Sequence, residues 1–356
     1  MSGTTAQLTE GGPPTVTTDQ VAALRQARGR RRLLIHLGLA VALLGVVIAS
    51  LCLGQTAYSP AQVWQVILGQ DVQGAGFTVG TLRLPRTSLA LLTGLCFGLG
   101  GATFQTMLRN PLASPDVIGV NAGASAAAVV CLVLLGLSAT TTSIVAVIAA
   151  LATAGAIYLM AYHDGVADTR FILIGIGVAA FLDSVIAYAI SRASQWDLQV
   201  AMRWLTGNLN GASWTQVLPV LAAVVVLTPL LLGQSRNLDL LRLGDDTAAA
   251  LGVAVPRTRL LLILAAVGLL AFATAATGPI AFVAFLSGPI AARIMGHLGS
   301  SLLASGLIGA LLVLLADFAG QYAFGVRLPV GVITGALGAP FLLYLLTRTN
   351  RAGGSL

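Results

Sequence analysis

Uncharged runs of about twenty residues recur along the chain, separated by short polar or arginine-bearing segments. They fall near 33–53, 87–107, 116–136, 140–162, 171–191, 214–233, 259–277, 280–296, 301–323 and 329–347. A run of that length crosses the hydrocarbon core of a bilayer as one helix. A membrane β-barrel would instead alternate polar and apolar residues over about ten positions. The pattern therefore predicts an all-α polytopic membrane protein with about ten transmembrane helices. Residues 1–20 are polar and rich in Gly, Pro and Thr, the composition of a disordered tail. The chain divides into a largely disordered basic N-terminal tail (1–32), a transmembrane domain (33–347) and a C-terminal tail (348–356). The first apolar run follows Arg25, Arg28, Arg30, Arg31 and Arg32, as in a signal peptide. It is long and lacks a clean cleavage site, so a retained first helix is expected.

Composition excludes a soluble domain. Of 356 residues 57% are hydrophobic and 9% charged, against about 25% charged in soluble proteins. All 19 basic residues are arginine, and Glu10 is the one glutamate among 12 acids. The arginines are spread through short loops, which fits the positive-inside pattern and not a nucleic-acid surface. With the N-terminus inside, ten spans return the C-terminus inside. Inside segments then hold 14 of the 19 arginines, and Arg83, Arg86, Arg192, Arg203 and Arg327 fall outside. Those five call for a separate reason. Cys52, Cys96 and Cys131 lie in apolar runs without metal-ligand spacing and read as small hydrophobes. His36, His163 and His297 have no clustered acids or thiols beside them, so no metal site is expected.

One stretch, 83–115, has unusual ends. Arg83 and Arg86 flank Pro85; an uncharged run carrying Gly94, Gly98, Gly100 and Gly101 follows; Gln105, Arg109 and the Pro-marked turn 110–115 close it. The glycines would let a second helix approach closely. A second Pro/Gly-rich break spans 277–289. Interrupted segments in both halves point to a transporter built from repeated halves; the alternative is a pair of ordinary turns.

The polar loop 234–258 reads QSRNLDLLRLGDDTAAALGVAVPRT. Asp245 or Asp246 would N-cap a short helix, and Gly252 suits a left-handed cap after it. Such a helix exposes Leu251 and alanines, as a docking knob for a soluble partner or as a helix lying on the membrane surface.

These residues together resemble the FecCD-type permeases, the membrane subunits of ABC importers for iron-siderophores, haem and cobalamin. The similarity is carried by RLPR, the Gly-rich helix, Gln105 and 110–125. It continues through 238–252, 278–283, Leu315-Ala316-Asp317 and 328–346. Ser287-Gly288-Pro289 is most similar to the ferric-enterobactin-type members, which favours a ferric siderophore. The resemblance implies ten helices in inverted halves, the fold of a type II ABC importer permease, in the bacterial cytoplasmic (inner) membrane. It also implies a second permease subunit, a cytoplasmic ATPase dimer holding ATP and Mg, and an extracytoplasmic siderophore-binding protein. No cofactor is expected on this chain, which has no phosphate loop of the G-x-x-x-x-G-K-[ST] kind.

By the same resemblance Arg83 and Arg86 match arginines that dock the binding protein, with interfacial snorkelling the plainer alternative. Gln321 stands where a third such arginine is expected, and Arg327 replaces a family glutamate, so Arg327 is expected to take over that docking role. Leu243, Gly244, Asp245, Asp246, Ala249, Ala250, Leu251 and Gly252 fall on the ATPase-coupling loop. Asn110, Asp168 and Thr169 match a cytoplasmic gate, although Asn110 would equally cap the following helix. Asp183 and Asp317 lie inside predicted spans, where an acid is functional by default. Asp317 is expected to bond across helices. Asp183 could be a proton site, a polar patch of a path or an interhelical hydrogen bond, and the last is expected. A proton-coupled secondary transporter using both acids is the competing function. An intramembrane enzyme is disfavoured because no nucleophile–base set appears.

Overall fold

The structure is a computed structural model, and it describes residues 18–115, 119–161, 168–296 and 298–351. Side chains at 21, 168, 345–346 and 348–351 lie outside the described set. The architecture is all-α. Among the described residues seven helices are long and apolar enough to span a bilayer, and shorter apolar helices fall at 120–134, 283–295 and 330–344. Each of the ten runs read from the sequence coincides with one of these.

The order is α1 (Thr18–Cys52), α2 (Pro60–Ile67), α3 (Leu84–Met107), α4 (Val120–Val129), α5 (Ala139–Ala161), α6 (Asp168–Ser191) and α7 (Gln195–Leu205). Then follow α8 (Trp214–Gly233), α9 (Ser235–Leu241), α10 (Asp245–Ala250), α11 (Val255–Thr277), α12 (Val283–Met295), α13 (Leu302–Tyr322) and α14 (Val330–Arg351). A π-helical segment, Gly76–Arg83, leads into α3, and another, Val130–Leu134, continues α4.

α3 is the axis. Its most apolar window is 83% buried, against 72% for α11, 61% for α13, 11% for α6 and none for α1. The sequence gives the reason. A methyl group at Gly94 would come within 2.5 Å of the Gly309 carbonyl oxygen, and one at Gly98 would strike the Ser305 carbonyl. Hydrogen as the side chain lets the backbones of α3 and α13 touch. Gly101 meets the backbone of α12 at Ala284 in the same way, and Gly100 meets Leu270 of α11. Around this centre pack Leu89, Phe97, Leu99 and Phe104.

Two differences from the sequence reading concern ends. α1 begins at Thr18, so much of the stretch assigned to a disordered tail is helical. Its arginines project from a continuous helix, where straight-chain side chains are good helix formers. The linkers after α1 and α6 also carry short helices, α2 and α7. Their Ser caps are legible in hindsight: Ser59 accepts from the Gln62 backbone in a capping box, and Ser194 accepts from the Asp197 backbone.

Candidate functional site

Cavities lined by the described residues lie at several levels of the bundle. At one end lies a cavity of about 840 Å³ lined by Arg83, Arg86, Arg203, Arg327, Asn208, Asn210, Gln321 and Tyr322, among others. Four of the five arginines that the span count placed together share it. Their environments differ. Arg86 forms a two-pronged ion pair with Asp317, its Nη2 lying 2.7 Å and its Nε 3.0 Å from the two carboxylate oxygens, and also donates to Asn210 Oδ1 at 2.6 Å. Gln321 Nε2 donates to the same carboxylate at 2.7 Å. The expected cross-helix bond of Asp317 is thus present and joins α13 to α3. Arg83 donates to the carbonyls of Leu51 (2.9 Å) and Thr56 (2.6 Å) and lies 5.3 Å from the Tyr58 ring centroid. Those partners are neutral, so its charge is retained. Arg203 and Arg327 are exposed and make no hydrogen bond or ion pair with the described residues. One carboxylate therefore faces four guanidiniums, and the cavity is strongly cationic. Arg203 had no motif to mark it; only its place on α7 brings it there.

The opposite end is organised by Gln105. Its amide donates to the Pro111 carbonyl (2.9 Å) and to the Phe285 carbonyl (3.0 Å), tying the turn after α3 to α12. A cavity of about 320 Å³ beside it is lined by Asn110, Arg109, Arg242, Pro289 and Ser301. Asn110 Oδ1 accepts from the Leu112 backbone at 2.8 Å, so the side chain both shapes the turn and borders the cavity. Arg109 holds φ +51° here, a conformation that strains a non-glycine residue. Thr169 is exposed at the start of α6 and is not among the residues that line this cavity, and the Asp168 side chain falls outside the described residues.

The loop 234–258 folds at this end as α9 and α10. Neither aspartate caps α10. Gly244 occupies the N-cap with φ +100°, and Asp245, the first helical residue, pairs with the buried Arg259 at 2.9 Å. That ion pair favours bonding to α11 over capping, since a buried guanidinium needs a carboxylate. At the other end Val253 N–H donates to the Ala248 carbonyl and Gly252 carries φ +88°, which forms a Schellman cap. Ala248 and Val253 face the core. Leu243, Asp246, Ala249, Ala250, Leu251 and Gly252 are exposed, and Leu251 is 57% accessible. The Arg109 guanidinium lies against Gly244, so the Asn110 turn and this loop touch. Nearby, burial raises the Asp239 carboxyl above its ordinary value, while Arg242, Arg32 and Ser300 pull it back. Arg32 sits beside the loop from α9, so the basic start of α1 belongs to this end.

Comparison with known proteins identifies the family. The sequence pattern of the FecCD transport family matches residues 42–348. The chain belongs to the FecCD transport family. Among its relatives is the ferric enterobactin transport system permease protein FepG of Escherichia coli, 39% identical over 84% of this chain and 91% of that one. Another is the iron(3+)-hydroxamate import system permease protein FhuG of Bacillus subtilis, 34% identical over 86% and 94% respectively. A solved structure of a metal-chelate type ABC transporter in an inward-facing conformation aligns with a TM-score of 0.79 at 24% identity. It covers 88% of this chain and 99% of its own, which shows a shared fold. The FecCD chain described here is thus a multi-pass membrane permease of a transport system.

The interhelical hydrogen bond expected of Asp183, the second intramembrane acid, is not found among the described residues, because its side chain points away from the packed helices into a cavity. It is exposed on α6 and makes no hydrogen bond or ion pair with the described residues. Asp317, its partner in the proton-coupled alternative, is already held by Arg86.

Proposed function

We propose that this chain is the permease subunit of an ATP-driven ABC importer that carries a ferric siderophore into the cytoplasm. The observation that carries the reading is the division of labour between the two ends within this family. A cationic cavity marks one end, and a capped, exposed helix touching the gate turn marks the other. The relatives named for ferric enterobactin and iron-hydroxamate transport support the siderophore class.

In this reading the Arg83 end faces outward and receives a siderophore-binding protein. Arg203 and Arg327 carry free charge for its carboxylates, Arg83 adds to the field, and Arg86 is held in reserve by Asp317. A planar guanidinium fork suits carboxylate partners. The α10 end, with the basic start of α1, faces the cytoplasm together with both termini, in keeping with the positive-inside rule. The exposed residues of α10 dock on a cytoplasmic ATPase dimer, which binds ATP and Mg; this chain has no lysine with which to build a phosphate loop. Displacement of α10 is passed to the Asn110 turn through Arg109 at Gly244, and to α11 through Asp245–Arg259. Asn110 borders the inner gate, with Asp168 and Thr169 at the head of α6 as its other members. A second permease subunit completes the translocation path. The chain itself is not an enzyme.

Purification of the complex from native membranes tests this. An ATPase should co-purify, and uptake of radiolabelled ferric siderophore should stop with vanadate. Uptake that continues in vanadate, with no nucleotidase attached, would refute the reading.

A further inference from the structure

A third cavity, of about 710 Å³, lies between the two ends. Its wall includes Ser114, Asn121 and Ser125 on one side and Pro279 and Phe282 on the other, with Asp183 on α6. Both chain breaks therefore meet here: 110–115 contributes Ser114, and 277–289 contributes Pro279 and Phe282. Asp183 stands about 22 Å along α6 from Asp168 and about 12 Å from Ser191, at about 1.5 Å rise per residue. That is membrane depth. An ionisable group there faces water or protein, because exposure to lipid tails is costly. Nothing in the described chain neutralises it, and its neighbours on the same face, Ala179 and Ile186, line the same cavity. Phe181 lies about 200° around the helix from Asp183 and is apolar and 67% exposed, as a lipid-facing residue would be.

We propose that this cavity is the membrane-depth part of the substrate path, and that Asp183 is a specificity-determining group on its wall. The carboxylate accepts hydrogen bonds from, or attracts, the N–H, O–H or cationic groups of a passing ferric chelate. It opposes chelates whose outer surface is anionic. Ser114, Asn121 and Ser125 are the polar side chains of an otherwise mainly apolar wall, so the Asp183 carboxylate is its one charge among the described residues. The inference rests on the importer reading and names a selectivity that the reading lacks.

Cysteine labelling tests it in membranes holding the assembled importer, with and without ATP. The native thiols, Cys52, Cys96 and Cys131, are all buried and set a low background. Ala179→Cys, one turn from Asp183, is treated with a trimethylammonium and a sulfonate methanethiosulfonate reagent of similar size. The cationic reagent should react faster, and Asp183→Asn in the Ala179→Cys background should reduce that preference about tenfold. Phe181→Cys should stay inert. An Ala179→Cys thiol as inert as that at 181 in both conditions overturns the path, and a preference unchanged by Asp183→Asn overturns the role of the charge. Labelling needs no transport, so either failure leaves the importer reading standing. In uptake, Asp183→Asn should raise the rate for an anionic chelate relative to a cationic one; an unchanged ratio also counts against the proposal.

Discussion

Asp317 shows how far one residue reaches. Its carboxylate closes on Arg86 across α3 and α13 and accepts from Gln321 one turn away. Both ionic side chains are largely buried, at 16% and 9% exposure. Removing one partner strands the other, which costs about 3 kcal/mol or more in buried pairs. Asp317→Leu should therefore lower the thermal midpoint of the purified permease in detergent. Adding Arg86→Met should restore most of the loss, because apolar replacement of a whole buried pair is often neutral. If the double variant melts no higher than Asp317→Leu, the pair is not what holds α13 to α3. The sequence marked both residues as out of place, one a charge at an apolar boundary and one an acid in a span. Their pairing was not legible, because they are separated by most of the chain.

At the scale of the element, α10 is held by two opposed devices, the Asp245–Arg259 pair and the Schellman cap at Gly252. Between them it presents one exposed face. Ala249→Pro removes a helical N–H at a cost of about 3 kcal/mol to this short helix. The expected result is ATPase activity that persists while uptake falls; coupled transport at the normal rate would remove α10 from the coupling route. Gly252 and the presence of a short helix were readable, since a glycine after an alanine run is a strong stop signal. The cap assignment to aspartate was not, because Arg259 competes for the same carboxylate from the next helix. The glycines of α3 tell a similar story. Their spacing announced a close approach, but only the fold identifies α13 and α12 as the helices that come near.

For the whole molecule, charge is sorted by end. Arg83, Arg86, Arg203 and Arg327 gather at one cavity, while Arg32, Arg109, Arg242 and Arg259 gather around the loop carrying α9 and α10. If the first group receives an acidic partner, docking should weaken steeply between low and physiological salt, where screening lengths fall to about 8 Å. Arg203→Glu with Arg327→Glu should reduce the affinity of the permease for its binding protein by about tenfold, mostly through slower association, and flatten the salt dependence. Unchanged affinity in that variant would assign these arginines to the lipid interface. Arg86→Glu is the less informative change, because it also breaks the bond to Asp317.

The sequence by itself determined the ten membrane segments, the family, the two chain breaks and the sorting of arginine. Each is written in local composition: bilayer thickness sets the length of an apolar run, and proline and glycine interrupt it wherever they stand. The tertiary structure decided which breaks meet, which arginines are already paired and which helix each glycine touches. It also decided that Asp183 faces a cavity while Asp317 is bonded. Those outcomes depend on contacts between residues distant in the chain, and an apolar helix packed in lipid carries little pattern to say which of its faces meets which neighbour.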